Sequence, residues 1–283
     1  MSEYQYYEFQ AIDRPLTAEQ QAAMRKLSSR VDLSASRAAF NYSYGDFRGD
    51  PLKVLEQHFD ALLYIANWGS KQVAFRLPKN AVEVEQLRPY TLGDEESSLL
   101  DLLITPQHLI VNFTLSEEEG YGWIDGEGVL APLISLREAI LRNDLRALYL
   151  FWLRCAADRA AWDDDEDWDE DEDAAVPSKL IEPPVPPGLG QLDGALQAFV
   201  EFFAIDEDLI AAAAERSPSL TQTDEPLEEW VALLPESERT AFLVQVARGD
   251  RHVGIALRRR LREVGGAETP ATTHGRRTFG AFV

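Results

Sequence analysis

Apolar and polar positions alternate along "YQYYEFQAI", residues 4–12, which sets Tyr7, Phe9 and Ala11 on one face of a half-buried strand. Asp13 to Pro15 interrupt the pattern. Thr17, with Gln20 three residues later, predicts a capping box opening a helix that reaches Leu27. "AAFNYSY" returns to period two, with Phe40, Tyr42 and Tyr44 alternating against Asn41 and Ser43. "GDFRGDP" is turn chemistry, after which Pro51 opens a short helix carrying Leu52, Leu55 and Phe59 on one side. "ALLYIANW" and "KQVAFRL" flank Gly69-Ser70 and predict a hairpin closed by a two-residue type II′ turn. "HLIVNFTL" is a further strand, with Leu109, Val111, Phe113 and Leu115 on one face.

Helical periodicity takes over after Gly128. Ser135 and Glu138 form a second capping-box pattern, and Leu145, Leu148, Tyr149 and Trp152 recur as an amphipathic stripe. The chain then runs into "AWDDDEDWDEDEDAA" and "EPPVPPGLG", an acidic run followed by a semi-rigid polyproline spacer. Further helices are expected over Ala195 to Phe203, from the cap Asp206 toward Pro218, over Pro226 to Leu234, from Pro235 to Gly249, and through "DRHVGIALRRRLREVGG" to Gly265. The polar tail from Ala267 ends in Phe279, whose apolar side chain can dock. This order predicts an α+β chain. Residues 1–162 would hold a mostly antiparallel or mixed sheet with helices, 163–190 a largely disordered linker, 191–265 a small all-α domain, and 266–283 a tail.

A length of 283 residues with 45% hydrophobic and 10% aromatic content supports a sizeable core and excludes global disorder. The one cysteine, Cys155, sits in helical "LYLFWLRCAADRAAW", reads as a core residue, and rules out an intramolecular disulfide or a Cys-rich zinc site. The N-terminus lacks a basic region followed by an apolar run, and Arg146 and Arg154 bracket the most apolar helix. The expectation is therefore a cytoplasmic protein with no membrane partner. Net charge is −22, which disfavours non-specific binding to phosphate backbones. From Arg239 onward the balance reverses, with nine arginines against three acids.

Ten of the eleven residues from Asp163 to Asp173 are carboxylates, and their mutual repulsion favours a solvated connector. A calcium loop is excluded by spacing: counted from Asp163, the positions that need Gly and Glu hold Trp168 and Ala174. An electrostatic arm for a basic protein partner is the sharper reading, with Trp162 and Trp168 as apolar anchors among Asp163, Asp165 and Asp169. The basic surface could be the chain's own, formed by Arg251, Arg258, Arg259 and Arg262.

No P-loop, dinucleotide fingerprint, nucleophile elbow or zinc-protease motif occurs, and no cofactor or metal ligand set is indicated. The only catalytic candidates are Asp46, Asp50, His58 and Asp60, the last two spaced to share one face of a strand. Turn and cap roles explain the same residues. Asp125 and Glu127 in "WIDGEG" read as a turn. If Tyr6, Tyr42 and Tyr44 shared an open sheet face, that face would be a binding platform.

Taken together, "YYEFQAIDRPLT", "LSSR", "YGDFRGDP", "FDALLYIANWGS", "LRALYLFWL" and "EPPVPPGL" resemble a family of uncharacterised bacterial proteins, from residue 4 through the proline segment and less distinctly to about residue 264. The resemblance implies a bacterial, cytoplasmic protein and brings no activity, cofactor or catalytic residue with it. The leading functional expectation is a non-enzymatic interaction or adaptor protein. The alternatives are a hydrolase or nuclease-like enzyme built on the four candidates above, and an acidic nucleic-acid mimic.

Overall fold

The computed structural model describes residues 4–43, 45–92, 98–117, 125–166, 180–220, 225–250, 252–266 and 278–279, with the side chains of 162–166 outside that description. Its strands are β1 (Gln5–Gln10), β2 (Asp32–Leu33), β3 (Arg37–Tyr42), β4 (Ala61–Ala66), β5 (Ser70–Pro78), β6 (Ser98–Ile104) and β7 (His108–Ser116). Helices α1 (Ala18–Leu27), α2 (Pro51–His58) and α3 (Val84–Leu87) lie between strands. After β7 come α4 (Leu130–Leu133), α5 (Ser135–Leu141), α6 (Arg146–Glu166), α7 (Gly194–Phe203), α8 (Glu207–Ala214), α9 (Leu227–Leu233), α10 (Glu236–Ala247) and α11 (Val253–Gly265). The chain is α+β, with one seven-stranded, wholly antiparallel sheet in the order β2-β3-β1-β4-β5-β7-β6.

Period-two alternation sorts the strand residues between two cores. On one face Tyr7, Phe9, Phe40 and Leu62 pack with Met24 of α1, Leu55 of α2, and Phe47 and Phe59. On the other, Tyr6, Leu63, Phe75, Val111 and Phe113 meet α4–α8. Tyr6 and Tyr42 therefore point to opposite sides, and both sides are covered, so they form no common platform. Tyr44 lies outside the described residues.

Helix α6 is not amphipathic over its first three turns. Leu148 to Leu153, with Cys155 and Ala156, are all buried, because the sheet covers one side and the segment 180–214 covers the other. Phe151 stacks edge-on between Phe113 of the sheet and Phe199 and Phe203 of α7. Burial pushes the Cys155 thiol up to about 12, so it is an inert core group.

The expected disordered linker is corrected here for its second half. Residues 180–190 are packed into the main core, with Val185 and Leu189 buried and Glu182 accepting a 2.5 Å hydrogen bond from Tyr149 Oη. Tyr90 Oη donates to the Pro184 carbonyl at 2.7 Å, and Arg146 donates to the carbonyls of Gly188 and Gln191. Nor is 191–265 a separate domain: α7 and α8 share the sheet's core, while Lys71 Nζ and Arg154 Nη1 donate to the C-terminal carbonyls of Phe202 and Phe203. Phe279 does dock, with its ring against Trp152.

Two local expectations also change. The capping box at Thr17 forms, but Ser135 caps nothing, since the backbone stays helical through Ile134 from α4 into α5. The β4–β5 hairpin has three loop residues, Asn67 to Gly69, with glycine last at φ +103° rather than first. A Cβ at Gly69 would lie 2.0 Å from the Glu117 carbonyl oxygen.

Phe199→Ala should lower the stability of the sheet and α7 together by about 3–5 kcal/mol in one cooperative urea transition. A sheet signal left unchanged by this substitution would contradict the shared core.

Candidate functional site

A buried polar cluster forms where β1 ends, α2 turns into β4, and α5 and α11 approach. Asp60 is 1% exposed, and its carboxylate accepts from the amides of Ile12 and Asp13 at 2.7 and 2.9 Å and from Arg76 Nη2 at 2.7 Å. Arg137 of α5 donates through Nε to the Arg76 carbonyl at 2.8 Å and through Nη1 and Nη2 to Asp13 at 3.0 and 2.8 Å. His252, at the N-terminus of α11, places Nε2 3.0 Å from Asp13 Oδ2. Two carboxylates and two guanidiniums thus balance each other in a site that excludes most water, with bidentate geometry that suits arginine.

Burial alone would raise the Asp13 carboxyl, but hydrogen bonds from His252 and Arg137, and the guanidinium charge, hold it well below the usual carboxylate range. Asp60 Oδ2 accepts two backbone amides and Oδ1 one guanidinium N–H, an arrangement that suits a structural pin.

The four catalytic candidates do not converge. Asp50 caps α2, accepting from the amides of Leu52 and Lys53, while His58 lies at the other end of that helix, ~12 Å along its axis. Asp46 accepts from Gln5 at the start of β1, whereas Asp60 pairs with the Gln10 carbonyl at its end, ~17 Å of strand away. Burial and the Arg76 charge lower the His58 pKa, and its buried Nδ1 has no hydrogen-bond partner among the described residues. Among the described residues, no group of three His, Cys, Asp or Glu side chains is arranged to hold a metal ion.

The second candidate surface is the helical unit α9–α11. Glu225 accepts from both Arg258 and Arg262; burial raises its carboxyl, and these arginine bonds lower it by more. Arg260 donates to Glu238 at 2.8 Å and to Glu263 at 2.9 Å, and Arg259 lies 4.0 Å from Glu263. Of the arginines read from the sequence as a basic surface, Arg258, Arg259 and Arg262 are therefore paired within the unit. Trp168, Asp169 and Arg251 lie outside the described residues, as do the side chains of Trp162, Asp163 and Asp165.

These pairs produce an inverted surface. The open groove between α10 and α11, about 260 Å³, is lined by Glu238, Gln245, Arg259, Arg260 and Glu263 beside Phe242. Meanwhile Leu243 is 69% exposed, Val246 57% and Leu233 60%, with Val244, Val231 and Leu227 also exposed. Leu243, Val246 and Ala247 fall at i, i+3 and i+4, one stripe of α10 turned to solvent.

The sequence reading missed Asp13, Arg76, Arg137 and His252 as a group. One signal was present: in "SLREAIL", Arg137 shares the apolar stripe of Ile140 and Leu141, and a charge there needs a buried partner. No family model matches this chain, no curated protein matches it, and no solved structure is similar to it.

Asp13→Asn strips Arg137 of its main counter-charge and should cost about 3–5 kcal/mol at pH 7, measured by urea unfolding. Because folding lowers the Asp13 pKa, its contribution is complete above the unfolded-chain value and lost as pH falls through the folded one. The gap between wild type and variant should accordingly narrow in strong acid. Separately, His252→Ala should speed amide exchange in 225–266 roughly fivefold, for a loss of about 1 kcal/mol, and leave β4 and β5 unchanged. Uniform acceleration across the chain would refute a local role for His252.

Proposed function

We propose that this chain is a non-enzymatic protein-interaction protein of the bacterial cytoplasm, docking a partner on the apolar face of α9 and α10. The observation that carries this reading is the inversion just described: ion pairs occupy the interhelical groove, while Leu233, Leu243 and Val246 are left in water. A monomer has no reason to keep branched apolar side chains outside and glutamates between its helices, unless another surface covers the outside. The single buried thiol fits a reducing compartment, and no helix among the described residues is long and apolar enough to cross a membrane. The hydrolase or nuclease reading draws no support from the separated Asp46, Asp50, His58 and Asp60. A nucleic-acid mimic would depend on carboxylates at 167–173, outside the described residues.

A photo-crosslinking residue placed at position 246 should yield a discrete protein adduct in cells. The same group at Glu19 of α1 should yield none, and Leu243→Glu should abolish the adduct at 246. Equal labelling from both positions, or none from 246, would refute the docking face.

A further inference from the structure

We draw no further inference here: the strongest candidate, the exposed apolar face that Leu233, Leu243 and Val246 form on α9 and α10, belongs to the docking surface already described, and nothing in the structure shows what covers it.

Discussion

The structure depends on the burial of the first three turns of α6. A helix whose side chains are apolar around its whole circumference cannot rest on a sheet alone, because its outer side would remain in water. Here the outer side is closed by the proline-rich segment and by α7 and α8, and Phe151 sits between Phe113 on one side and Phe199 and Phe203 on the other. That requirement explains why residues 180–214 return to the sheet after the acidic run. The polar anchors follow the same logic: Glu182 under Tyr149, and Arg146 under the turn at Gly188, satisfy groups that the packing of α6 has removed from solvent.

A second constraint acts at the end of β1. Asp60, Arg76, Arg137 and Asp13 are each half of a pair that water would otherwise hydrate, and they persist because no member is left uncompensated. The cluster links three elements distant in sequence, and His252 extends it to α11. The α9–α11 unit is thus held to the body partly by a charged hydrogen bond and partly by the apolar Ile255. Within the unit, arginine–glutamate pairs stand beside the buried Leu234 and Leu261. On α10 the branched residues Leu243, Val244 and Val246 are exposed.

Much of the architecture is legible in the sequence because it rests on local chemistry. The alternation around Phe9 and Phe113, the Thr17–Gln20 capping box, the Asp50, Asp193 and Asp206 caps and the glycine stops are decided within a few residues. Strand β6 escaped because "SLLDLLI" does not alternate: it is an apolar run at the sheet edge, with α6 packed against it. The hairpin loop covers residues 67–69 rather than the expected Gly69-Ser70 for a different reason. The close approach of the Glu117 carbonyl demands glycine at the last loop residue, and Glu117 is nearly fifty residues away in sequence.

The sequence by itself determined the fold class, most element boundaries, the inert role of Cys155 and the absence of any familiar catalytic signature, since each follows from period, cap or composition. Tertiary structure alone decided which charges meet. Nothing in the spacing of Asp13, Asp60, Arg137 and His252 announces a cluster, and nothing in "LRRRLRE" says that its arginines are already held by Glu225, Glu238 and Glu263. The physical reason is that burial and pairing of charge are set by distances between segments remote along the chain, whereas helix and strand preferences are set by neighbours.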